Sequence, residues 1–137
     1  MSEQKIFCFI GPEMIEQERM VAKKLKTEIE RLIKQGVTGF NIAAGRKLDT
    51  MAALHILRLK LNYPGVKLHY IVPGLDKVIT AENSFINNRL IYNADTLKIV
   101  AAEEQTNRIF KNAGFCISLS GGHQAQKQGI TIIPLDP

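Results

Sequence analysis

Apolar positions along this chain switch between two periods. Lys5-Ile6-Phe7-Cys8-Phe9-Ile10 is a short, nearly continuous apolar run ended by Gly11-Pro12, the pattern of a buried strand followed by a turn. Val21, Leu25, Ile29, Leu32 and Ile33 then recur at helical spacing, with Arg19, Lys23, Lys26, Glu30 and Lys34 filling the remainder. That spacing predicts a long amphipathic helix over 14–35, stopped at Gly36. Gly39-Phe40-Asn41-Ile42-Ala43 reads as a second strand, and Asp49 or Thr50 opens a second helix running to Leu61. Met51, Ala52, Ala53, Leu54, Ile56, Leu57 and Leu59 make that helix apolar nearly all round. It therefore needs cover on more than one side, from the sheet and from a second subunit.

Tyr63-Pro64-Gly65 breaks the second helix, and 66–72 is a third strand ended by Pro73-Gly74. Thr80 is the expected N-cap of a helix over 81–93. A fourth strand over 96–100, a short helix over 103–112, a fifth strand over 115–119 and a sixth over 130–133 complete the order. Strands that alternate with helices, each strand nearly continuously apolar, imply a mostly parallel sheet of six strands covered on both faces. Nothing in the pattern marks a linker or a repeat, so 1–137 reads as one α/β domain.

Composition narrows the class without naming a function. The chain has 137 residues and is 45% apolar, enough for one real core. It holds no run of about 18 apolar residues, so no membrane partner is expected. The first residues lack the pattern of a signal peptide, so a cytoplasmic location is expected. Cys8 and Cys116 both fall in predicted strands and read as reduced core residues, with no companion ligands for a metal. The net charge of +5 suits an anionic ligand. It does not argue for nucleic acid, because Trp is absent and the three Tyr are scattered, leaving no stacking platform.

Candidate chemistry sits in two loops that each follow a predicted strand. One is Ala43-Ala44-Gly45-Arg46-Lys47-Leu48-Asp49; the other is Ser118-Leu119-Ser120-Gly121-Gly122-His123. In open α/β sheets, ligands bind outside the carboxyl ends of the strands. Glycines admit a phosphate to the backbone, and a helix N-terminus supplies N–H donors. Arg46 and Lys47 are either solvated loop charges or a phosphate clamp. Asp49 is either a cap of the second helix or an acceptor for a ribose hydroxyl. Gly11, Pro12 and Glu13 after the first strand, Pro73 and Gly74 after the third, and Arg89 are further candidate contacts, alongside Gly45, Ser120, Gly121, Gly122 and His123. Arg89 and Asp95 read first as members of structural ion pairs, with ligand contact as the alternative. His55 and His69 read as structural.

The order of elements and loops resembles the SLOG superfamily of Rossmann-like domains, closest to its YpsA-like branch. The resemblance rests on Ile10-Gly11-Pro12, on Ile42 to Asp49 followed by Ala52-Ala53, on Ile71-Val72-Pro73-Gly74, on Arg89 before Ala94-Asp95, and on Gly121-Gly122-His123. It implies a Rossmann-like three-layer sandwich and a nucleotide-type ligand, such as an ADP-ribose-like or cyclic nucleotide signal, held by a non-catalytic sensor or sequestering protein. The chain departs from the pattern at Ala43, Lys47 and His123. The lonely-guy phosphoribohydrolases of the same superfamily suggest a second reading, an N-glycosidic nucleotide hydrolase. There a glutamate follows the Gly-Gly loop, where this chain has Gln124-Ala125-Gln126. A third reading is a protein- or DNA-interaction module. No cofactor or metal is expected, no catalytic residue is assigned, and a homodimer is expected.

Overall fold

The computed structural model describes residues 5–12, 14–74, 84–119 and 129–135. The elements run β1 (Ile6–Ile10), α1 (Glu18–Lys34), β2 (Gly39–Ala43), α2 (Lys47–Leu59), β3 (Lys67–Val72), α3 (Ser84–Asn93) and β4 (Thr96–Ile99). A 3-10 turn (Ala102–Glu104) leads into α4 (Gln105–Phe110), followed by β5 (Phe115–Ser118) and β6 (Thr131–Pro134). All six strands are parallel, in the order β4-β3-β2-β1-β5-β6. The fold is the Rossmann-like α/β sandwich that the alternating pattern implies.

Right-handed crossovers dictate where the helices go. From β1 to β4 the chain steps one way across the sheet, so α1 and α2 pack together on one face with α3 beside α2. After β4 the chain reverses, and α4 crosses the opposite face beneath β3 and β2 on its way to β5. The strand order therefore turns over between β1 and β5.

Period-2 alternation divides the core accordingly. Phe7, Phe9, Phe40, Ile42, Leu68, Tyr70 and Val72 point to the face of α1, α2 and α3. Their rings stack across strands: Phe7 on Phe115 with centroids 4.8 Å apart, and Phe9 on Phe40 at 5.8 Å. Cys8, Ala43, Ile71 and Cys116 point the other way and meet Ile109 and Phe110 of α4. Cys8 and Cys116 are in register on neighbouring strands, both free and fully buried. The hydrogen bond with Cys116, and then burial, push the Cys8 thiol well above its ordinary range.

Polar side chains hold α4 as much as apolar ones do. Buried Asn41 donates through Nδ2 to the carbonyls of Ile109 (2.8 Å) and Lys111 (3.2 Å) at the end of α4. Gln105, also buried, donates through Nε2 to the carbonyls of Ala44 (2.9 Å) and Ile71 (3.1 Å). A six-residue helix cannot hold itself in water, so these anchors fix its place.

Two expectations need correction. The first helix begins at Glu18 and not at residue 14, because Gln17 adopts a left-handed conformation (φ 55°) that breaks the helical path. Residues 103–112 form a 3-10 turn and a short helix and not one continuous helix. Around α2 the sheet lies under the helix and α1 and α3 flank it, and Met51, Leu54 and Leu57 are half-buried. The Thr80 cap and the start of its helix lie outside the described residues.

Candidate functional site

A cleft of about 740 Å³ opens at the carboxyl ends of β1 and β2. Gly11 and Pro12, which follow β1, form one wall. Gly45, Arg46, Lys47 and Thr50, from the β2–α2 turn and the first turn of α2, form the second. Ile86 and Asn87 of α3 close the far side.

Glycine is needed at two of these positions for different reasons. Gly45 has φ of +86°, a left-handed backbone that lets the chain double back from β2 into α2. Gly11 matters by proximity: a Cβ there would sit 3.0 Å from Cβ and Cδ2 of Leu48. The end of β1 and the first turn of α2 therefore approach backbone to side chain with no space between. Arg46, the residue before α2, is extended, and its side chain makes no cap hydrogen bond. A 13-residue helix thus opens its positive end on the cleft wall.

Two cations stand at that end. Lys47 is paired with Glu18 of α1 at 2.9 Å. Arg46 instead donates to a neutral group, the Thr106 hydroxyl at the start of α4. None of the ion pairs among the described residues involves Arg46.

Asp49 is only 1% exposed. Its Oδ2 accepts the Ala43 N–H at 2.8 Å, tying the last residue of β2 to the first turn of α2. Its Oδ1 is buried with no partner among the described residues. Burial pushes this carboxyl up to about 7, against the opposing pull of the Ala43 N–H and the Arg46 charge. Its first role is thus to brace the loop that carries Gly45 and Arg46. Close by, Tyr70 donates its hydroxyl to Oδ1 of Asn87 at 3.0 Å, which orients the Asn87 amide in the cleft wall. Burial, and then the Asp49 charge, raise the Tyr70 hydroxyl.

Gly11, Pro12, Gly45, Arg46 and Lys47 come together in this cleft, with Asp49 buried in the turn that shapes it. Pro73 and Gly74 follow β3 at the same end of the sheet, outside the cleft wall. Arg89 is exposed on α3, where its carbonyl accepts from Asn93. Glu13, Ser120, Gly121, Gly122 and His123 lie outside the described residues. Asp95 sits at the opposite end of the sheet, bound to Lys60, to Lys67 (3.9 Å) and to the Leu68 N–H (2.8 Å). Burial acts to raise it, but those donors and cations together hold it below the usual carboxylate range. His69 contacts Thr96 Oγ1 across β3 and β4 at 2.7 Å, and burial lowers both it and His55.

Thr50, Ile86 and Asn87 were not apparent as site residues from the sequence. Asn87 did carry a signal: it stands three residues before buried Leu90, a polar side chain on the buried stripe of its helix. No protein-family model and no curated protein matches this chain.

Proposed function

We propose that this protein binds a nucleotide or nucleotide-derived ligand at the cleft between β1 and α2, as a sensor or sequestering protein and not as a catalyst. The observation that carries the reading is the convergence of Arg46, the N-terminus of α2, the left-handed Gly45 turn and the close approach at Gly11 in one cleft. A helix N-terminus with close backbone approach and an arginine is an anion site, and phosphate is the anion that fits it best. A volume of about 740 Å³ suits a ligand of nucleotide size. The resemblance of the loop order to the SLOG superfamily, and to its YpsA-like branch, points the same way. A homodimer belongs to this reading: Phe85, Tyr92, Leu97 and Ile99 leave large apolar side chains exposed on α3 and the edge strand β4. Light scattering at micromolar concentration tests that part.

Thermal unfolding against a panel of nucleotides, cyclic nucleotides and ADP-ribose derivatives tests the binding. A ligand at 100 times its dissociation constant adds about 2.7 kcal/mol of stability. The expected result is a clear upward shift for at least one phosphate-bearing compound, abolished in Arg46→Ala. No shift at millimolar concentration across the panel overturns the reading.

A further inference from the structure

The carboxyl end of the sheet carries a second cavity, of about 380 Å³. It spans the ends of β1, β5 and β6, where the strand order reverses and α/β sheets commonly bind ligands. Pro12, Met14, Met20, Val21, Leu119 and Leu135 give it apolar walls. The strand ends are laced together there: the Leu119 N–H donates to the Ile10 carbonyl at 2.8 Å and the Leu135 N–H to the Ser118 carbonyl at 2.7 Å. Met14 is 86% exposed and Met20 51%, a poor use of two large apolar side chains unless something flat covers them. Unbranched thioethers adapt their shape and make favourable contacts with aromatic rings.

This groove and the Arg46 cleft are neighbours. Pro12 forms part of both, and the Glu18–Lys47 bridge joins the N-termini of α1 and α2 that flank them. Their electrostatics differ. The groove holds one charge of each sign, Glu16 and Lys24, whereas the cleft wall holds Lys47, paired with Glu18, and Arg46, which is in none of the ion pairs among the described residues.

We infer that the two cavities take the two halves of one ligand, a 5′-nucleotide whose phosphate lies at Arg46 and whose base lies in the Met14–Met20 groove, with the ribose crossing Pro12. This rests on the nucleotide reading and deepens it by assigning the base a site. The direction follows from charge: the cleft with Arg46, whose side chain among the described residues hydrogen-bonds only the neutral Thr106 hydroxyl, takes the phosphate, and the mixed-charge apolar groove takes the flat, polar-edged ring.

Isothermal titration of the full chain with AMP, GMP and ribose 5-phosphate tests the assignment. The nucleotides are expected to bind roughly tenfold tighter than ribose 5-phosphate, the worth of sulfur–ring contacts from two methionines. In the double variant Met14→Gln/Met20→Gln that advantage disappears while ribose 5-phosphate affinity stays unchanged, which also reports that the variant is folded. Arg46→Ala weakens all three ligands together. Nucleotides that bind no tighter than ribose 5-phosphate, or an advantage that survives the double variant, overturn the base site and leave the phosphate cleft standing. Binding of none of the three overturns the 5′-nucleotide assignment; the nucleotide reading itself falls only if the cyclic nucleotides and ADP-ribose derivatives of the wider panel fail as well.

Discussion

Replacing Asp49 with asparagine changes how stability responds to pH, and the structure sets both sign and size. The carboxyl is fully buried, and its folded value of about 7 compares with 3.8 for a free side chain. Between those values the folded protein holds a proton that the unfolded chain has released. Stability then falls as pH rises, because the unfolded state binds fewer protons. The contribution is fully present below pH 4 and is lost by the time pH passes 7. The gap between those two values corresponds to about 4 kcal/mol. The asparagine side chain would keep an oxygen to accept the Ala43 N–H and would not titrate. Urea unfolding of both proteins from pH 4.5 to 8 gives the test, with the difference between them cancelling every other titrating group. The wild type is expected to lose stability relative to Asp49→Asn across that range by about 3 kcal/mol, the part of the total that falls above pH 4.5, with most of the loss complete near neutrality. A difference that stays constant within about 0.5 kcal/mol would refute the argument that burial without a second partner dominates at this carboxylate.

Other perturbations reach the anchors around the site. Asn41→Leu leaves the carbonyls of Ile109 and Lys111 without their donor and is expected to cost about 1–3 kcal/mol, with amide exchange accelerating first in α4. Gly45→Ala forces a side chain into a left-handed turn; about 1 kcal/mol of lost stability in chemical unfolding is expected, together with weaker ligand binding. Glu18→Gln releases Lys47 and removes a negative charge beside the cleft, so phosphate-bearing ligands are expected to bind roughly threefold tighter at low salt, an effect that fades as salt is raised. Calorimetric titration that shows no gain, or a gain insensitive to salt, would place the anion elsewhere.

The helices and strands were legible in the chain because their signals are local. The apolar run from Ile6 to Ile10 and the helical spacing from Val21 to Ile33 depend only on near neighbours. That Gly11, Gly45, Arg46 and Lys47 would meet in one cleft was legible for a related reason: a parallel sheet brings all its strand ends to one edge, so loops that follow strands meet there. Boundaries were less so. Residue 17 shows no sign in its identity of a left-handed conformation, and that conformation alone moves the start of α1.

Other features came into being only when distant segments met. Asn41 and Gln105 look like stray polar residues until α4 folds under the sheet: Asn41 then reaches the Ile109 carbonyl 68 residues away, and Gln105 of α4 reaches the carbonyls of Ala44 and Ile71. Asp49 read as a cap or a ligand contact, and became a buried brace once Ala43 supplied its N–H and the surrounding core removed water. Asn87 joined the cleft wall because α3 packs beside α2 and Tyr70 reaches up to it from β3. Periodicity is written residue by residue, so the sequence determined the elements and which loops share an edge. Burial, and with it the ionisation of Asp49 and the shape of the two cavities, is a property of chain segments in contact, which the tertiary structure decided.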